Sequence, residues 1–214
     1  MTVHRTLRMM TAILLAGFVL SLPASKLAAQ EAQSGGAEWV QPSLPETFNA
    51  FAIVMGHVGR GHTEGLLIRI TRWTTDEEDD HLTATIIERP EERNALRNEL
   101  QKQEETGFIR GNSVDADWPS VRLRYARQYR EEGTGKRRII LGLDRPLGFV
   151  ELWDASRTLD YTVTVIVLDI DEKGQGAGVL AMGTKVTYDP DFQRILMEYY
   201  STEPVRLTNV RKTG

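Results

Sequence analysis

The spacing of apolar residues changes period along the chain, and the changes outline its elements. FNAFAIVMGHV (48–58) is a β-type run beginning near Thr47, and VGRGH (58–62) reads as a turn, with Gly59 and Gly61 supplying positive φ. LLIRITRW (66–73) alternates, with Leu67, Arg69, Thr71 and Trp73 on one side and Leu66, Ile68, Ile70 and Arg72 on the other. Period two predicts a strand, and the two runs predict a hairpin. The period then becomes helical at Leu82, Ile86 and Ile87, and again at Leu96 and Leu100 with Ala95 beside them. Pro90 interrupts and is expected to restart a second helix at its first turn, and Gly107 to end it. A helical hairpin over about 75–105 follows.

Beyond it the runs are strand-like: FIRG, VRLRYARQY, RRIILGL, DYTVTVIVLDI, GVLAMGTKVTY, RILMEYY and EPVRLTNV. The turn sequences EEGTGK, LDRPLG, DEKGQG and DPDF separate several of them. In DYTVTVIVLDI, Val163, Val165 and Val167 oppose Thr162, Thr164, Ile166 and Leu168, so both faces are largely apolar, as in a strand covered on both sides. The expected class is α+β: mainly antiparallel β, a barrel or sandwich of about nine strands, with the helical hairpin inserted after the second strand.

The amino end sets the expected compartment. His4, Arg5 and Arg8 precede the apolar run TAILLAGFVLSL (11–22), too short for the roughly 20 residues that span a bilayer. Pro23 and the small residues Ala28 and Ala29 complete the pattern of a cleavable secretory signal over 1–29. A Gly-, Ser-, Pro- and Gln-rich leader over 30–46 would follow, then one β-rich domain over 47–214. Removing 1–29 takes away Arg5, Arg8 and Lys26 and no acid, so the formal charge moves from −4 to −7. That sign argues against nucleic acid as partner. With no cysteine there is no disulfide framework and no lipid attachment through that residue. No second apolar span is present, so the mature form carries no transmembrane segment, and localisation is expected to be periplasmic or extracellular.

Candidate chemistry thins out when examined. DIDEKG (169–174) imitates the start of an EF-hand loop, but Lys173 and Leu180 occupy ligand positions, so a hairpin turn fits better. His57, His62 and His81 lack metal-ligand spacing, and Ser113, Ser120, Ser156 and Ser201 sit in turn-like contexts without a nucleophile elbow. No metal, cofactor or catalytic residue is assigned. Glu151, Asp154 and Asp160 around Trp153 leave open a carboxylate-dependent hydrolase acting on glycan or envelope material. The arginines at 69, 72, 110, 122, 124, 127, 137, 138 and 145 are either a solvated sheet face balanced by cross-strand acids or a cationic site for an anionic ligand. RWTTDEEDDHL (72–82) is densely acidic, yet Thr75 and Glu78 form a T-x-x-E capping box, Asp76 and Glu77 favour the helix N-terminus, and Glu77 and His81 are an i, i+4 pair.

IRITRWTT, the acidic helix, TGFIR, YARQ, RRIILGLDRPLGF, SRTLDY, KVTYD and EPVRLTNV, in that order, resemble a group of small exported bacterial proteins of unknown function. The resemblance implies export and one compact domain and transfers no catalytic residue. The leading expectation is a non-catalytic module binding a small molecule or envelope protein. Trp73, Arg145, Glu151 and Trp153 are its candidate contact residues. A hydrolase and a structural or assembly component of the envelope are the alternatives.

Overall fold

The computed structural model describes residues 43–54, 62–112, 119–130, 136–147, 163–189, 194–199 and 204–214. The segment expected to be a signal, most of the expected leader, Gly59, Gly61, His57 and the stretch with Glu151, Trp153, Asp154 and Asp160 lie outside them.

β1 (Glu46–Val54) and β2 (His62–Ile70) form the first hairpin, in register from Glu46 opposite Ile70 to Val54 opposite His62. α1 (Asp76–Glu88) and α2 (Ala95–Lys102) follow. Next come β3 (Gly107–Gly111), β4 (Val121–Leu123), β5 (Tyr125–Arg130), β6 (Arg137–Leu143), β7 (Thr164–Ile170) and β8 (Gln175–Met182). A side hairpin of β9 (Thr184–Asp189) and β10 (Arg194–Tyr199) precedes β11 (Val205–Lys212). Nine strands pair antiparallel in the order β4-β3-β2-β1-β11-β8-β7-β6-β5, and β9 and β10 pair separately. The fold is α+β and mainly antiparallel β, as expected.

The sheet curls into a nearly closed barrel because its two edge strands are one stretch of chain. Only Arg124 separates β4 from β5. The Thr106 N–H donates to the Leu123 carbonyl (2.9 Å) on one side of this joint, and the Arg124 N–H to the Gly142 carbonyl (2.9 Å) on the other. Thr74 covers the seam: its N–H donates to the Ala126 carbonyl (2.8 Å), and the Ala126 N–H donates to its hydroxyl (2.9 Å). The inward sequence Val121, Leu123, Ala126 skips a residue, as a strand bent by a bulge does. Strict alternation would have turned Tyr125, not Ala126, inward. Two of the nine expected runs are therefore broken, VRLRYARQY at Arg124 and GVLAMGTKVTY at Gly183, whose φ of +58° turns the chain out of the barrel into β9. Hence eleven strands are seen among the described residues.

Side chains fill the barrel. Phe48, Leu66, Ile68, Ile109, Leu123, Ile139, Leu141, Ile166, Leu168 and Leu180 have no exposed surface. A second apolar layer lies outside the wall, where Leu82, Leu96 and Leu100 of the helices meet Tyr125, Ile140, Val165 and Val167. β7 is thus covered on both faces.

The capping box forms as expected: the Glu78 N–H donates to the Thr75 hydroxyl (3.2 Å) and the Thr75 N–H to the Glu78 carboxylate (2.8 Å). Arg72 adds a bidentate pair with Glu78, both arms at 2.8 Å. Two local expectations are corrected. Pro90 lies in the inter-helix turn rather than the first turn of α2, which begins only at Ala95. Residues 91–94 are all exposed, so a helix there would bury nothing to offset its nucleation cost. Gly107 opens β3 rather than closing the helix; a Cβ there would stand 2.0 Å from the Arg69 carbonyl oxygen. DIDEKG is the β7–β8 hairpin turn, where the Asp171 carboxylate accepts from the N–H groups of Lys173 (2.9 Å) and Gln175 (2.8 Å). No helix among the described residues is long and apolar enough to cross a membrane.

Candidate functional site at the barrel end

At one barrel end a group of polar side chains replaces the apolar filling. Glu46 opens β1 in phase with inward-facing Phe48, Ala50 and Ala52, so alternation carries its carboxylate inside, where it has no exposed surface. Arg137 opens β6 in phase with Ile139, Leu141 and Leu143 and is only 8% exposed. The two meet as a bidentate pair, one arm running from Arg137 Nη1 to Glu46 Oε1 at 3.0 Å and the other from Nη2 to Oε2. Lys212, the last residue of β11, reaches Glu46 Oε1 from the rim at 2.7 Å. Gln128 of β5 accepts from Arg137 Nε at 2.6 Å. The Arg137 guanidinium lies 5.5 Å from the ring centre of Trp73, a cation–π distance.

The electrostatics fix the protonation state. Burial, the largest influence, pushes the Glu46 carboxyl upward. The hydrogen bonds and charges of Arg137 and Lys212 together outweigh it, and the net shift is below the ordinary carboxylate value. Glu46 is therefore an anion near neutrality, unsuited to donate a proton as a general acid. One anion faces two cations, so the five side chains carry a surplus positive charge.

Two donors are left over. Arg137 requires the Gln128 amide oxygen, so the Gln128 Nε2 end turns away, and it is buried without an acceptor. The Trp73 Nε1–H is also buried without an acceptor. Both groups touch Arg137, and each unmade bond costs roughly 1–3 kcal/mol. Each group can donate one hydrogen bond to an oxygen acceptor in the neighbourhood of Arg137.

Of the expected contact residues, Trp73 stands in this site. Arg145 does not: β6 runs from Arg137 here to Leu143 at the far end, and Arg145 lies beyond it, its Nε 3.1 Å from Asp144. The spacing of the two in sequence carried no information about barrel ends. Glu151 and Trp153 fall outside the described residues. Glu46, Gln128 and Lys212 went unrecognised, although a charged residue in phase with an apolar strand face, as at Glu46 and Arg137, is a readable sign of a buried pair.

Several other charged groups are paired structurally. Arg127 meets Asp76 at 2.9 Å, Arg138 meets its cross-strand neighbour Asp169 at 2.7 Å, and Arg122 meets Glu105 at 3.3 Å. The Tyr125 hydroxyl donates to Asp79 at 2.8 Å, and burial above all pushes its ionisation upward, so it stays a neutral donor. His81 turns to Glu99 across the helix pair (3.2 Å), where the i, i+4 spacing suggested Glu77. Glu99 also takes Lys102 and Arg89, each at 2.9 Å, and is only 6% exposed; it offers a better-held anion than surface-exposed Glu77. A groove between the inter-helix turn and β9, lined by Ile86, Pro90, Leu96, Val163 and Val186, holds about 30 Å³, well below the roughly 300–1,000 Å³ of a small-molecule site. Among the described residues no three His, Asp or Glu side chains come together to hold a metal.

No family model, no curated protein and no solved structure matches the chain.

Proposed function

We propose that the chain is an exported, non-catalytic binding module that holds a small oxygen-bearing ligand, anionic or carbonyl, beside Trp73 and Gln128. The observation that carries this reading is the pair of buried N–H donors with no acceptor. An acceptor bound there recovers hydrogen bonds the free protein forgoes, and the surplus positive charge favours an anion. The Glu46 carboxylate is committed to Arg137 and Lys212, which supports binding rather than acid–base chemistry. Export rests on the basic start, the short apolar run and the small residues at 28 and 29, together with the resemblance to exported bacterial proteins.

Native mass spectrometry of the protein purified from its own host tests the proposal. The expected spectrum contains the chain plus a small molecule, and Trp73→Phe, which removes one donor and keeps an aromatic ring, lowers the adduct fraction. A bare chain mass in every preparation, or an adduct indifferent to Trp73→Phe, contradicts it.

A further inference from the structure

Away from the helices, the outer face of β3, β2, β1 and β11 carries a second feature, independent of the barrel-end site. Strand register assembles it. Arg110 lies opposite Leu67, Leu67 opposite Asn49, and Asn49 opposite Arg211, a row crossing four strands. At about 4.8 Å per strand the row spans roughly 14 Å. Arg69 lies one pleat from Leu67 on β2, and Arg206 opposite Ile53 on β11. Phe51 sits among these arginines, opposite Thr208 on one side and Gly65 on the other, and is 48% exposed.

All four arginines are exposed, and none has a carboxylate within ion-pair distance among the described residues. The only acids in these four strands, Glu46 and Glu64, are both buried. Among the described residues, exposed acids gather elsewhere; α1 alone opens with Asp76, Glu77, Glu78 and Asp79. A chain with net negative charge thus carries, among the described residues of this face, arginines and no exposed acid, with an aromatic ring among them. Arg72, Arg127 and Arg138, on other parts of the fold, find carboxylates. These four do not, although each forgoes the modest gain a surface pair gives.

We propose that this face docks the protein on an anionic lipid bilayer, the four guanidiniums taking headgroup phosphates and Phe51 reaching into the interfacial layer. Guanidinium forks match phosphate oxygens, and neutral residues separate the arginines in the register, so each can take its own headgroup. An exposed ring amid cations is what the boundary between headgroups and acyl chains accommodates. A polyanionic strand would use the charges but leave a single exposed ring without a series of bases to stack on, so the lipid surface accounts for more of what is seen.

Co-sedimentation with vesicles tests the inference, using host-purified protein and variants that differ only in the named side chains. One vesicle set contains phosphatidylglycerol in phosphatidylcholine, the other phosphatidylcholine alone. The wild type is expected to favour the anionic set by tenfold or more at low salt and to lose that preference at high salt. Each of Arg69→Gln, Arg110→Gln, Arg206→Gln and Arg211→Gln should lower partitioning about fivefold. Phe51→Ser should weaken binding without changing the salt dependence, and Arg138→Gln, which removes the same charge from another face, should change nothing. Circular dichroism confirms that each variant is folded. Equal binding to both vesicle sets, or a quadruple arginine variant that binds like the wild type, overturns the inference. So does arginine-dependent binding of DNA or of an acidic protein in place of vesicles. A retained small molecule at Trp73 bears only on the proposed function, so either reading can fail alone.

Discussion

Replacing Glu46 by glutamine removes the anion around which the barrel end is built. Arg137, 8% exposed, then keeps its charge with only the Gln128 oxygen and a weak contact from the new amide, and Lys212 stands beside it as a second cation. Breaking one side of a buried, hydrogen-bonded ion pair costs about 3–5 kcal/mol. That is a large part of the roughly 5–15 kcal/mol stability of a typical domain. For a chain of this size the midpoint temperature should fall by roughly 6–20 °C. Lys212→Ala should cost under about 1 kcal/mol, because its side chain is 33% exposed and Arg137 remains on the carboxylate. Glu46→Met with Arg137→Met should cost well under the sum of the single changes, because apolar side chains of similar volume often replace a buried pair near neutrality. Urea unfolding at pH 7 measures all three. A Glu46→Gln loss below about 1 kcal/mol, or strictly additive single and double variants, would refute the buried-pair argument.

Two further outcomes follow from the helical layer. Thr75→Ala should cost about 1 kcal/mol, and Glu78→Ala more, since Glu78 serves both the Thr75 N–H and Arg72; urea melts of both variants check the order, and equal losses would contradict it. Glu99 is held at about 2, first by the hydrogen bond from Lys102 and then by that from His81. Because its folded value is lowered, its contribution is fully present above the ordinary 4.5 and disappears as pH falls towards 2. Allowing for the exposure of its partners, that contribution is about 1–2 kcal/mol, and Glu99→Gln should flatten stability against pH over this window, as urea melts between about pH 2 and 5 would show.

How much of this the chain discloses depends on whether local pattern or tertiary partner decides. Alternation in LLIRITRW and the double apolar face of TVIVLDI reflect burial along one strand, and both strands form. The capping box at Thr75 and Glu78 is a four-residue interaction, legible because every group involved is local. The break at Arg124 is not local. β4 must pair with β3, and β5 with β6 and Thr74, and only closure of the barrel forces the skipped residue. Likewise, nothing near Pro90 tells where α2 starts, because its start is set by where Ala95 and Leu100 find a surface to bury against. The candidate site shows both limits. Trp73 stood out as an aromatic at a strand end, whereas Glu46 looked like part of a polar leader until β1 placed it in phase with Phe48.

The two donors at the barrel end separate a binding site from a structural plug. A crystal structure of host-purified protein, at a resolution that separates a water from a carboxylate or carbonyl group, addresses them directly. The expected result is a non-water oxygen acceptor about 2.8–3.2 Å from Trp73 Nε1 or Gln128 Nε2, belonging to a bound organic molecule beside Arg137. A lone ordered water satisfying both donors in every copy would contradict the binding site and leave the cluster a structural plug.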